Sequence, residues 1–339
     1  MSLELSYYNK TPLLPRVLTT TDGAPRFFLK YEFLQPGGSF KSRGIGYLVK
    51  KSYEEARRDG GKSLAVFSSS GGNAGLAAAI AAQTFSINCT VVVPRTTKSR
   101  MVEKIRKTGA EVLVYGKHWG MADEYIREVV MKEVDVSKVV PLYVHPFDNP
   151  IIWQGHSTIV DEIVAQLKEE NVSIDKVKAI VCSVGGGGLY NGIVKGLETH
   201  QLADRIPILA VETKGCDVLN KSLNSGKPVV LESLTSVASS LASPYISEKA
   251  FENARKYGSK SVLLEDSQVI ETCLKFADDA GIVVEPACGA SLYSCYHPEL
   301  LPLCIGKELT EDDVIVVIAC GGSAVTYKDL EYMKKELGN

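Results

Sequence analysis

The stretch Ser39-Phe40-Lys41-Ser42-Arg43-Gly44 organises the rest of the chain around Lys41. Before it lie a strand-like run, Phe27-Phe28-Leu29-Lys30-Tyr31-Glu32, and a turn, Gln35-Pro36-Gly37-Gly38. After it a helix-like run extends from about Ser42 to Arg58. Ser39 reads as an N-cap, and Gly37-Gly38 lets the turn bend. Lys41 therefore belongs at a strand–turn–helix junction. A cation at a helix N-terminus opposes the helix dipole. That local cost favours a neutral amine, which can form an imine or act as a base. Taken alone, Lys41 reads by default as an exposed surface lysine.

Two further stretches change the balance. Ser68-Ser69-Ser70-Gly71-Gly72-Asn73-Ala74-Gly75 and Gly185-Gly186-Gly187-Gly188-Leu189 each follow an apolar run and precede a helix-like one. Consecutive glycines between strand and helix allow backbone N–H groups and the helix dipole to hold an anion. No Gly-Lys-Ser/Thr follows them, so they are not a nucleoside-triphosphate loop, and Tyr190 and Asn191 break the dinucleotide fingerprint. A tight strand-to-helix turn is the alternative. Asn73 alone reads as well as an ordinary N-cap, Phe40 as core packing and Cys320 as a buried structural cysteine.

The chain has 339 residues, 45% hydrophobic and 23% charged, in the range of a globular enzyme of two modest domains or one large one. A net charge of −2 gives no basic footprint for nucleic acid and no patch for an anionic membrane. No apolar run has transmembrane length, and residues 1–20 lack a signal-peptide core. The eight cysteines show no C-x-x-C pair or metal-ligand spacing and read as reduced thiols in the cytoplasm. The five histidines show no paired metal-hydrolase pattern.

From Phe27 onward, short apolar runs alternate with amphipathic ones, which predicts an α/β fold with a largely parallel sheet and right-handed crossovers. Strands are expected at Ser63–Phe67, Cys89–Val93, Glu111–Tyr115, Val177–Cys182, Pro207–Val211, Ser261–Leu264 and Val314–Ile318. Helices are expected at Asn73–Gln83, Lys98–Lys107, Met121–Val134, Ile151–Glu170, Ser267–Ala280 (stopped by Gly281) and Tyr327–Leu337. Residues 1–26 read as an irregular arm, and Leu234–Ser247 as irregular and Ser-rich. The prolines of His145-Pro146-Phe147-Asp148-Asn149-Pro150 mark a linker.

The three motifs Ser-Phe-Lys-Ser-Arg-Gly, Ser-Ser-Gly-Gly-Asn-Ala-Gly and Val-Gly-Gly-Gly-Gly-Leu occur here in the order found in L-serine/L-threonine dehydratases. The sequence resembles that family, of the tryptophan-synthase-β-like fold, from about Asn9 to Ser323, and most closely its catabolic fungal and animal members. The resemblance implies a two-domain fold type II pyridoxal 5'-phosphate (PLP) enzyme, each domain an open, mostly parallel sheet flanked by helices. The small domain, carrying the substrate loop, would be 44–148. The large cofactor-binding domain would be 1–43 plus 149–339, with the active site in the cleft and Lys41 at the seam.

By the same resemblance, Lys41 carries the cofactor and is the catalytic base. Gly185, Gly186, Gly187, Gly188 and Leu189 hold its phosphate, and Asn73 bonds its ring oxygen. Ser70, Gly71, Gly72, Asn73 and Ala74 grip the substrate carboxylate. Phe40 and Ser240 cover the two ring faces, and Cys320 meets the pyridine nitrogen, where a thiol holds a proton less well than a carboxylate. A monovalent cation, K+, is implied near Gly185, Cys216 and Leu241. Leu241-Ala242-Ser243-Pro244 departs from the Leu-Gly of relatives, and alanine adopts positive φ only at a cost, so a weakened cation loop is expected.

The implied reaction is dehydration and deamination of L-serine to pyruvate and ammonia, and of L-threonine to 2-oxobutyrate. It belongs to amino-acid catabolism feeding gluconeogenesis, with the cofactor phosphate assisting loss of the hydroxyl. A racemase, a β-replacement synthase and a ligand-binding relative of the same fold are the rivals. Gly71 and Ala74 stand where racemases of the fold carry Ser and tend to carry His. Family habit points to a homodimer, and the short span after Cys320 leaves no room for a regulatory domain.

Overall fold

The computed structural model describes residues 6–18, 21–58 and 61–338; residues 1–5 and 19–20 of the expected arm, Asp59, Gly60 and Asn339 lie outside the described residues. In chain order the elements are β1 (Leu13–Arg16), β2 (Arg26–Tyr31), α1 (Lys41–Arg58), β3 (Ser63–Ser68), α2 (Asn73–Thr84), β4 (Asn88–Val93), α3 (Ser99–Arg106), β5 (Glu111–Val114), α4 (Trp119–Glu128), β6 (Val139–Tyr143) and α5 (Pro150–Glu169). They continue with β7 (Val177–Ser183), α6 (Gly188–Thr199), β8 (Ile208–Thr213), α7 (Val218–Ser225), α8 (Glu248–Lys256), β9 (Lys260–Leu264), α9 (Asp266–Ala280), α10 (Pro286–Tyr296), α11 (Leu300–Ile305), β10 (Val314–Ala319) and α12 (Tyr327–Leu337).

The chain divides into two compact units, one of residues 1–9 with 35–155 and one of 10–34 with 156–339. These borders lie several residues from 43/44 and 148/149, and local packing explains where they fall. A Cβ on Gly46 would sit 2.3 Å from the Tyr7 ring, so α1 takes the segment around Tyr7 into its own unit. A Cβ on Gly155 would sit 2.7 Å from the Arg43 carbonyl oxygen, so the first turns of α5 close against α1.

The smaller unit holds a four-stranded sheet in the order β5-β4-β3-β6, parallel throughout. Parallel strands need covered faces, and the buried α2 supplies one cover: Asn73 to Ala79, Ala81 and Ala82 are all buried. Phe67, Val92, Ala122 and Ile126 form a core beneath α4. The larger unit holds a six-stranded sheet in the order β1-β2-β10-β7-β8-β9. Only β1 runs antiparallel, against β2; the other pairs are parallel. β10 lies inside this sheet, and all six of its residues are buried, as its unbroken apolar sequence requires. Gly281 stops α9 in the left-handed conformation, at φ +68°.

Two strands were not expected. β1 contains Pro15 and β6 contains Pro141, and both lie at sheet edges, where a missing N–H leaves a ladder bond unmade only on the open side. Helices α7, α8, α10 and α11 also went unread. Among the described residues no helix is long and apolar enough to cross a membrane. Seven of the eight cysteines are buried, Cys304 is partly exposed, and all are free thiols.

Candidate active site

In the smaller unit, Lys41 is the first residue of α1, one position earlier than expected. Ser39 is not the side-chain cap: its hydroxyl is buried with no hydrogen-bond partner, while its carbonyl accepts from Ser42 N at 3.2 Å. Ser42 Oγ instead turns back to accept from Gly37 N at 3.1 Å, which braces the turn. The Lys41 amine donates to the Pro146 carbonyl at 2.5 Å and lies 5.0 Å from the centre of the Phe40 ring. Pro146 is held by its own loop, where His145 Nδ1 accepts from Phe147 N at 3.2 Å and Asp148 N at 2.8 Å. Burial, and after it the Lys41 charge, bring the His145 pKa down to about 4, so the imidazole is neutral at pH 7.

The Asn loop joins β3 to α2. Gly72 occupies the cap position and Asn73 is the first helical residue, so Asn73 is not the N-cap that its position suggested. The Asn73 side chain is largely buried. Ser70 Oγ accepts from Gly72 N at 3.3 Å. A Cβ on Gly75 would lie 1.8 Å from the Ser70 carbonyl oxygen, so the loop folds closely over the first turn of α2. A Cβ on Gly71 would meet the Thr97 side chain at 2.5 Å, and Ala74 is buried.

In the larger unit the four glycines join β7 to α6. Gly187 is the cap residue, at φ +92°. Its N–H and those of Gly188, Leu189 and Tyr190 belong to the first turn, which has no carbonyl of its own to meet. A Cβ on Gly185 would stand 2.8 Å from the Leu241 carbonyl oxygen, and one on Gly187 would stand 2.5 Å from the Ala250 Cβ. Gly186 accepts from Ser247 N at 3.1 Å. Ser247 in turn accepts from Asn191 Nδ2 at 3.0 Å, and Asn253 Nδ2 donates to Asn191 Oδ1 at 3.0 Å. Asn191, Ser247 and Asn253 thus clamp the loop. They were missed because the contacts span 56 and 62 residues.

Cys320 directly follows β10, buried, with its sulfur 3.6 Å from Ser183 Oγ. Burial, and then the nearby Cys320 thiol, raise the pKa of Cys288, so this neighbour is an uncharged thiol. Ser240 donates to Glu285, a carboxylate that also accepts from Ala324 N at 2.6 Å. Sequence reading missed Glu285, which is buried just before α10. Cys216, Leu241, Ala238 and Ala287 share one buried apolar cluster, and Leu241 abuts Gly185. The expectation for Ala242 is corrected. Among the described residues only Ser86, Asn171 and Gln201 have positive φ without being glycine, so Ala242 carries no such strain.

Each unit, taken by itself, carries groups that suit PLP. A glycine cradle that a Cβ would fill stands at a 12-residue helix N-terminus, where it suits a phosphate, and the lysine follows an unpartnered buried hydroxyl. Residues 5–321 match the family model described as pyridoxal-phosphate dependent enzyme, and the chain belongs to that family. Its cofactor is PLP, and its two helix-flanked, mostly parallel sheets have the fold type II architecture. The chain is similar to an L-serine dehydratase of Saccharomyces cerevisiae, 60% identical over 97% of each chain. It is 56% identical to the catabolic L-serine/threonine dehydratase of the same yeast, over 96% of this chain and 90% of that one. The solved fungal L-serine ammonia-lyase from Rhizomucor miehei superposes with a TM-score of 0.86 at 32% identity, covering 98% of this chain and 99% of that one.

Proposed function

We propose that this protein is a PLP-dependent lyase that dehydrates and deaminates L-serine to pyruvate and ammonia, and L-threonine to 2-oxobutyrate and ammonia. The observation that carries the reading is the 60% identity, over nearly the whole of both chains, to an L-serine dehydratase. When bound, PLP supplies the electron sink that acidifies the Cα–H bond of an amino acid. Lys41 Nζ carries the cofactor and then takes the Cα proton as general base. Pro146 O orients that amine, because a carbonyl can accept an N–H from it. The neutral His145 beside it adds no competing charge.

Ser70 to Ala74 would bind the substrate carboxylate, and Asn73 would help hold the cofactor by its ring oxygen. The N–H groups at Gly185 to Leu189 take its phosphate. Phe40 and Ser240 would cover the ring, and Ser240 is oriented by its bond to Glu285. Cys320 would face the ring nitrogen with a thiol, a poor partner for a protonated ring, and this would favour loss of the hydroxyl over side reactions. The residues near Gly185, Cys216 and Leu241 take a monovalent cation through backbone oxygens. A homodimer working in the cytoplasm completes the reading.

The racemase alternative needs an acid on the face of Cα opposite Lys41. Gly71 has no donor, and a side chain there would have to displace Thr97. Purified enzyme loaded with PLP and given L-serine is expected to yield pyruvate with very little D-serine. Chiral chromatography decides between the two: D-serine forming as fast as pyruvate overturns the dehydratase reading.

A further inference from the structure

Asp123, on α4, is a buried carboxylate with no part in the reaction as derived above. Its Oδ1 accepts from Ser69 Oγ at 2.7 Å and from the Tyr143 hydroxyl, and its Oδ2 pairs with Arg127 Nε at 3.0 Å. The two hydroxyls lie 3.4 Å apart. Ser69 directly follows β3 and Tyr143 ends β6, neighbouring strands whose paired register closes at Phe67 and Tyr143. Val144 N still donates to Phe67 O at 2.8 Å. Beyond that point β3 runs into Ser70 and the Asn loop, while β6 runs into Pro146.

We propose that Asp123 is a positioning residue for the elimination. Its carboxylate fixes the two strand ends that carry the Ser70–Ala74 loop and the Pro146 carbonyl bonded to Lys41. This rests on the dehydratase reading above. A buried carboxylate is costly unless donors surround it, and well-packed apolar side chains fill such a space as stably. What apolar packing does not supply is direction. Charge-assisted hydrogen bonds fix oxygen positions, and small misplacements of reacting groups lower rates steeply. The Ser69 arm is one residue from Ser70, so it acts on substrate binding. The Tyr143 arm reaches Pro146 through the loop that His145 Nδ1 ties to Phe147 N and Asp148 N, so it acts on the base.

The test uses full-length PLP-loaded Ser69→Ala, Tyr143→Phe and Asp123→Asn, with kcat and KM for L-serine measured per loaded subunit. Amide hydrogen exchange over 69–74 and 144–147 is followed with and without cofactor. Loss of a hydrogen bond to a charged group is expected to raise KM about tenfold in Ser69→Ala, with kcat changed less than about twofold. In Tyr143→Phe it is expected to lower kcat about tenfold, with the smaller effect on KM. Asp123→Asn is expected to do both, Ser69→Thr to restore KM, and exchange to quicken in both segments even without cofactor.

Variants that melt earlier but keep wild-type kcat, KM and exchange overturn the proposal. If Asp123→Asn does not fold, Ser69→Ala and Tyr143→Phe, each lacking a single oxygen, decide alone. Wild-type protein that makes no pyruvate defeats the dehydratase reading instead, and the exchange measurement still decides whether Asp123 holds the two segments.

Discussion

Replacing Gly187 by alanine tests the phosphate cradle with a magnitude drawn from the structure. The residue sits at φ +92°, where an L side chain costs about 1–2 kcal/mol. The new Cβ would also stand 2.5 Å from Ala250 Cβ and 3.0 Å from Ile246 Cδ1, both closer than van der Waals contact allows. Relieving such overpacking costs about 1–3 kcal/mol more. Gly226 is the control, because it has φ +72° and nothing within 4 Å of its Cβ. Gly226→Ala should lose only the backbone cost, about 1 kcal/mol, by urea unfolding of the cofactor-free protein. Gly187→Ala should lose about 3 kcal/mol and bind PLP, followed by fluorescence titration, at least about tenfold more weakly. Equal destabilisation by the two variants, with PLP affinity unchanged in Gly187→Ala, refutes the assignment of this loop to the phosphate.

Cys320→Asp should slow elimination and raise abortive transamination, because a carboxylate stabilises a protonated ring where the thiol does not; wild-type turnover without a side product makes Cys320 structural only. Ala242→Gly should bring no gain in activity or cofactor affinity, since Ala242 is not in the left-handed region, and a gain in both would show that the loop is strained after all. His145 has a folded pKa of about 4 against about 6.5 unfolded, so the unfolded chain binds the extra proton between these values. Its contribution to stability is full above about pH 6.5 and is lost as pH falls towards 4. Urea unfolding at about pH 7 and about pH 5 should show a smaller drop for His145→Gln than for wild type, and equal drops would contradict the assignment.

What the sequence disclosed and what it hid divide by distance along the chain. The glycine cradle, the Asn loop and the lysine junction are contiguous stretches whose turn chemistry is written in neighbouring residues, so they were readable. β10 announced itself as a β-branched run buried on both faces. β1 and β6 did not, because Pro15 and Pro141 argue against a strand unless an edge position is known beforehand. α10 is buried along most of its length and shows no amphipathic period. The Ser69–Asp123–Tyr143 group, the Ser240–Glu285 bond and the Asn191–Ser247–Asn253 clamp join residues 20 to 74 positions apart, and nothing local marks them.

Lys41 is proposed to carry the cofactor and to serve as the base. Borohydride reduction of the PLP-loaded protein fixes a pyridoxyl group on whichever lysine holds the cofactor, and peptide mapping locates it. The label is expected on Lys41 alone, with Lys41→Ala unlabelled and unable to form pyruvate from L-serine. A label on any other lysine contradicts the account.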